Sequence, residues 1–181
     1  MKPPRILVAC IGNIFLGDDA FGVEVAQRLA QTGLPEGVRV VDFGIRGLDL
    51  AYALLDDHDA VVLVDATPRG GTPGTLYVLE PTLDGLPEDE PAAPAVEGHG
   101  MDPVKVLRLA ASMGAKLERL RLVGCEPVPP ASEHDMSMEL SAPVRAAVDP
   151  AVVVIKEVVA DLLANGASAV SNHHVTHAKG V

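Results

Sequence analysis

Two adjacent carboxylates, Asp18 and Asp19, stand in a loop punctuated by Gly12, Gly17 and Gly22. A third, Asp65, closes the apolar run Ala60 to Val64, and His99 lies between Gly98 and Gly100 just ahead of a helical stretch. Carboxylate oxygens and an imidazole nitrogen form a mixed donor set that suits borderline divalent ions such as nickel or zinc. If Asp19 and Asp65 share one crevice they repel, and one stays protonated unless a cation intervenes. Each residue also has a plainer reading. Asp18 and Asp19 would favour the dipole of the next helix from its first turn, Asp65 would be a cap, and His99 a surface residue. Their spacing is too dispersed for any local metal motif.

The other reactive side chains carry less. Cys10 and Cys125 lie inside apolar runs without CxxC spacing, so neither a disulfide framework nor a structural zinc site is expected. No histidine follows Cys125 at a spacing that would activate it, which makes it a buried structural thiol. Asp42, Gly44 and Gly47 form a turn after the second apolar run. Glycine there permits an unusual backbone angle, or the turn offers a backbone surface to an extended substrate. Asp102 is expected to cap the helix it precedes, with support of His99 as the alternative. His134 has no clear role. His173, His174 and His177 resemble a metal-binding cluster but fall in a polar, tail-like segment.

These residues must be positioned by a chain of 181 residues, long enough for one sizeable core, with 48% hydrophobic and 22% charged residues. The formal charge of −11, from 25 acidic and 14 basic residues, argues against nucleic acid or an anionic membrane as partner. No stretch reaches the roughly 20 apolar residues of a membrane span. The start, Met1 to Leu16, mimics a signal peptide, but Gly12-Asn13 interrupts the run and Asp18-Asp19 follows. A reduced, cytoplasmic setting is the expectation.

Ile6 to Ile11 and Ala60 to Val64 are continuous apolar runs, the pattern of strands covered on both faces. Val38 to Val41 gives a second strand ending at Asp42, Thr75 to Leu79 a fourth, and Leu117 to Val123 a fifth. Helical spacing covers about 20–31, 48–55 and 103–113. A last helix, capped by Ser141 with Pro143 in its first turn, should kink or restart at Pro150 and continue to about 164. The predicted fold is a three-layer α/β sandwich with a mostly parallel twisted sheet of about five strands, the fourth antiparallel because its link is short. Right-handed crossovers put strands 2 and 3 on opposite sides of strand 1. That makes a switch point beyond the carboxyl ends of strands 1 and 3, where open α/β sheets bind ligands. Residues 1–165 are expected as a single domain. Within it, 81–98 reads as a mobile, acidic, proline-rich loop, and 166–181 as a disordered tail.

The block Gly12-Asn13-Ile14-Phe15-Leu16-Gly17-Asp18-Asp19-Ala20-Phe21-Gly22 resembles the N-terminal signature of the hydrogenase maturation proteases, G-N-x-L-x-x-D-[DE]-x-x-G. The resemblance continues, in family order, through Asp42 to Gly47, Val64-Asp65-Ala66, His99 and Leu122 to Pro127, and covers most of residues 5 to 160. The sequence departs from the family pattern at Cys10 and Ala20, where many relatives carry glycine. The resemblance implies a nickel-recognition site at Asp19, Asp65 and His99. It also implies a partner, the precursor of a hydrogenase large subunit, whose C-terminal tail is removed once nickel is loaded. Nickel would then be a recognition ion carried by the substrate, with zinc or cadmium able to occupy the same ligands. The family's aspartic-type classification implies Asp19 or Asp65 as a general base that activates water.

Two other functions compete. A non-catalytic nickel-binding chaperone would use the same three ligands and cut nothing. A dinucleotide-binding domain shares the strand–glycine loop–helix layout, but Cys10 occupies the first glycine position. Asp18 and Asp19 also stand where a pyrophosphate needs positive potential.

Overall fold

The computed structural model describes residues 4–82, 102–130 and 137–165. The expectations for most of 81–98, for 166–181, and for His99, His134 and the three tail histidines lie outside the described residues. Five strands form one sheet: β1 (Ile6–Ile11), β2 (Val38–Gly44), β3 (Ala60–Ala66), β4 (Leu76–Leu79) and β5 (Leu120–Cys125). Their order is β2-β1-β3-β5-β4, parallel except for β4, which runs antiparallel to β5. The expected flanking of β1 by β2 and β3 is therefore observed.

Alternation along the strands divides the core between two faces. Ile6, Val8 and Cys10 of β1 point to one side and pack with α1 (Phe21–Ala30) and α4 (Ala142–Ala164). Leu7, Ala9 and Ile11 point to the other and pack with α2 (Gly47–Ala53) and α3 (Pro103–Ser112). Every residue of β1 is buried, as its unbroken apolar run requires of a strand covered on both faces. Each such Val, Leu or Ile stabilises the fold by about 1.5–3 kcal/mol. Among the described residues no helix is long and apolar enough to cross a membrane.

The structure differs from the expectation in several places. Asp65 stands at the end of β3 as expected, though the strand runs one residue further, to Ala66, and Asp65 is paired opposite Gly124. Strand β5 starts later and ends later, at Cys125, and β2 runs on through Asp42 to Gly44. Helix α4 passes through Pro150 without interruption. Proline frees the carbonyl four residues earlier, at Ala146, and both residues lie on the exposed side of the helix, where water can satisfy that group. The buried side, Val144, Ala147, Ala151, Ile155, Val159 and Leu162, is continuous across the proline and holds the helix down.

Candidate functional site at the switch point

Two glycines let the first loop close over the carboxyl ends of β1 and β3. A Cβ on Gly22 would lie 2.0 Å from the Ile11 carbonyl oxygen and 2.6 Å from that of Val64. The start of α1 is thus wedged against both strands. A Cβ on Gly12 would meet the Asp19 carbonyl oxygen at 2.2 Å, so the two ends of the loop touch as well. Between them Gly17–Ala20 forms a 3-10 turn. The Asn13 side chain accepts from the Phe15 amide (3.0 Å), and the Asn13 amide donates to the Asp19 carboxylate (3.0 Å). The glycines and Asn13 of the sequence block therefore shape the loop so that Asp19 faces the end of β3.

Asp65 is 8% exposed and lies within range of the Asp19 charge on that loop. Burial pushes its carboxyl well above the ordinary range, and the charges of Asp19 and then Asp102 raise it further, against a hydrogen bond from the Ala66 amide. Asp19 is also raised, by burial, with its Asn13 hydrogen bond pulling the other way. The pair behaves as repelling carboxylates do: a proton or a cation is favoured between them. Asp19 and Asp65, two of the three residues that the switch-point topology and the resemblance singled out, thus influence one another's charge, whereas His99 lies outside the described residues. Among the described residues no group of three His, Cys, Asp or Glu side chains gathers into a metal cage. Two carboxylates whose charges interact, in a place where burial disfavours charge, are oxygen donors that could hold a hard divalent ion.

Asp102 caps α3, its carboxylate accepting from the Val104 amide at 2.9 Å, as expected. At the end of β2, Asp42 is exposed and accepts from the Gly44 amide at 2.8 Å. Gly44 adopts φ +53°, which favours glycine, whereas Gly47 simply begins α2. The Gly44 carbonyl accepts from the Gly12 amide (3.1 Å), so this turn abuts the first loop. Both cysteines are buried and inert. Burial raises the Cys10 thiol beyond any physiological range, helped by the Asp42 charge, and lifts Cys125 to about 12, helped by Asp18 and Glu126.

Asp18 lies in the first turn of the 3-10 segment that leads into α1, but it does more than favour a dipole. Its carboxylate, 9% exposed, accepts from the Ser141 amide (2.6 Å), the Ser141 hydroxyl (2.9 Å) and the Val128 amide (2.8 Å). Ser141 does precede α4, but its hydroxyl donates to Asp18 and does not cap the helix.

Sequence patterning does not single out Glu126. It is 4% exposed and accepts from the amides of Arg69 (2.9 Å) and Gly70 (3.0 Å) and from the Tyr77 hydroxyl (2.7 Å). The Tyr77 bond, foremost, holds its carboxyl below the ordinary range. This anchors the β3–β4 connection as an arch, with the Arg69 guanidinium 5.5 Å from the Tyr77 ring centroid. A glutamate directly after an apolar strand, paired with a Gly-rich link whose amides lack strand partners, was the available signal.

Fold and site together define an α/β sandwich with paired acidic side chains at its switch point, a class distinct from nucleotide binders with their cationic or amide-lined phosphate loops. Residues 23–158 match the hydrogenase maturation protease family, and the chain belongs to that family of peptidases. It is 37% identical over 131 residues to the hydrogenase expression/formation protein HupD of Rhodobacter capsulatus, across 70% of this chain and 59% of that protein. The chain therefore spans somewhat over half the length of that relative. Against HupD of Rhizobium leguminosarum bv. viciae it is 36% identical over 158 residues, across 84% of this chain and 75% of the relative. Among solved structures it resembles the hydrogenase maturating endopeptidase HybD from Escherichia coli, with a TM-score of 0.69 and 27% identity, covering 87% of this chain and 93% of that one.

Proposed function

We propose that this protein recognises nickel already bound in the precursor of a hydrogenase large subunit and removes the precursor's C-terminal extension. The observation that carries the reading is the Asp19–Asp65 pair: two carboxylates, one deeply buried, held at the switch point at an electrostatic cost that an incoming cation relieves. His99, three residues before the α3 cap, would complete the ligand set. Nickel arrives as part of the substrate, so a precursor without metal forfeits its coordination to Asp19 and Asp65 and is discriminated against. A site of two carboxylates and one imidazole is weak enough to release the ion with the product.

For the cleavage itself, Asp19 or Asp65, whichever carboxylate holds no proton, is the group able to take one from an attacking water. The turn at Asp42, Gly44 and Gly47, hydrogen-bonded to the first loop, offers main-chain groups to the extended tail beside that point.

The test is incubation with a nickel-loaded hydrogenase precursor and mass spectrometry of the precursor's C-terminus. Wild-type protein should shorten the precursor, and Asp19→Asn should leave it intact while retaining the fold. Nickel-dependent binding of the precursor without any loss of mass would favour a non-catalytic nickel chaperone. Complete processing by Asp19→Asn would remove Asp19 from the site.

A further inference from the structure

The described residues contain three buried charged side chains, Asp18, Asp65 and Glu126, and they divide into two kinds. Asp65 is left with little compensation. Asp18 is saturated: both oxygens accept hydrogen bonds, and the donors come from residues 110 and 123 positions away. One donor, the Val128 amide, lies just past the end of β5. The other two belong to Ser141, immediately ahead of α4. The turn is also held through its backbone, where the Gly17 amide donates to the Ser137 carbonyl at 2.5 Å. Asp18 therefore ties the first loop to two elements of the packed body, since β5 lies inside the sheet between β3 and β4 and α4 packs along the sheet.

Asp19 follows immediately in the same 3-10 turn. Among the described residues its own carboxylate takes one hydrogen bond, from the Asn13 amide within the loop. Nothing in that local bond fixes the loop relative to β3. Among the described residues, the side chain of the turn that hydrogen-bonds to distant elements is that of Asp18. Its carboxylate is taken up by those three hydrogen bonds, so its part in the site is one of placement.

We infer that Asp18 is the positioning residue of the ion-recognition site: it contacts no ion, but through Ser141 and Val128 it fixes the distance between the Asp19 and Asp65 carboxylates. This rests on the reading of Asp19 and Asp65 as nickel ligands. Asparagine is nearly the same size but replaces one accepting oxygen with an NH2 group. That group must face at least one of the donors now satisfied, so Asp18→Asn loses a bond and sets donor against donor. The turn then relaxes, and Asp19 moves with it. Ser141→Ala is milder. It removes the hydroxyl bond and leaves both amide bonds in place.

The experiment is calorimetric titration of nickel chloride into the full-length protein, in a background carrying His173→Ala, His174→Ala and His177→Ala so that the tail contributes no ligands. Titrations are run well below each variant's thermal midpoint. Asp18→Asn should weaken nickel binding about 10- to 100-fold, the usual cost of losing a group that orients a metal ligand. Ser141→Ala should weaken it by about threefold, in keeping with one hydrogen bond. A residue that matters only for stability would lower the midpoint and leave the affinity of the folded protein unchanged. Affinities of Asp18→Asn and Ser141→Ala within twofold of the background, alongside loss of binding in Asp19→Asn, would overturn the inference and leave the ligand assignment standing. Binding by Asp19→Asn equal to the background, or none by the background itself, would sink the ligand assignment and this inference with it. Should Asp18→Asn fail to fold, the Ser141→Ala titration decides.

Discussion

The wedge at Gly22 makes the most exposed prediction. Gly22 is the second residue of α1 and is buried. By helix propensity alone, alanine there should stabilise the protein by about 0.8–1 kcal/mol. The surroundings oppose it. The new methyl group would sit 2.0 Å from the Ile11 carbonyl oxygen, 2.6 Å from that of Val64 and 2.8 Å from the Ile11 amide nitrogen, where real contacts stay beyond 3.0 Å. All three are backbone atoms of paired strands, so no flexible side-chain end can swing aside. Helix α1 must withdraw by about 1 Å, the gap between 2.0 Å and the 3.0 Å floor. Phe21, Val25 and Leu29, all buried on the same helix, then lose contact with the sheet and α4. Overpacking typically costs about 1–3 kcal/mol, and this case belongs at the upper end. Setting about 3 kcal/mol of strain against about 1 kcal/mol of propensity leaves a net loss of about 2 kcal/mol. For a protein of this size the melting midpoint should drop by about 4–8 °C.

The assay is calorimetric melting of Gly22→Ala beside Gly33→Ala. Gly33 is exposed, has nothing within 4 Å of its would-be Cβ and has no positive φ. It should gain about 0.4–1 kcal/mol. Gly22→Ala should also lose precursor processing at temperatures where it remains folded, because Asp19 retreats from Asp65 with the start of the helix. A Gly22→Ala midpoint equal to or above that of the parent, with processing intact, would refute the claim that α1 abuts the ends of β1 and β3.

Two further outcomes follow from the titrating groups. Asp65 has a folded-state pKa raised above its ordinary value of 3.8, so the native protein binds that proton more tightly than the unfolded chain. Its stabilising contribution is present at low pH and is lost as pH rises through the folded pKa; each unit of difference is worth about 1.4 kcal/mol. Without bound metal, Asp65→Asn should therefore be more stable than the parent at pH 7, and the advantage should close below pH 3.8; an advantage that grew on acidification would reverse the sign. Cys10 and Cys125 should resist iodoacetamide at pH 8 until denaturant is added, since both are buried and Cys125 is held at about 12. Rapid native labelling, followed by mass, would contradict their placement in the core.

The residues that sequence alone could assign are those whose role repeats along the chain. Unbroken apolar runs marked β1 and β3 as strands covered on both faces, and crossover handedness then placed β1 between β2 and β3. The block from Gly12 to Gly22 marked the loop at the switch point, since glycines are required where backbone meets backbone. Asp19 and Asp65 were legible together for that reason: topology alone sends both to one rim.

What sequence could not decide is which partner a buried polar group finds. Asp18 and Asp19 are adjacent and chemically alike, yet one turns toward Ser141, 123 residues away, and the other toward β3. Local propensity gives both the same first-turn role, and only the packing of α4 separates them. Glu126 acquires its arch from amides 56 and 57 residues distant. Pro150, which local rules make a break, is carried through because the buried face of α4 is anchored on either side of it. Periodicity is written into neighbouring residues, whereas the satisfaction of a buried charge depends on donors brought from far along the chain, and those meet only when the layers close.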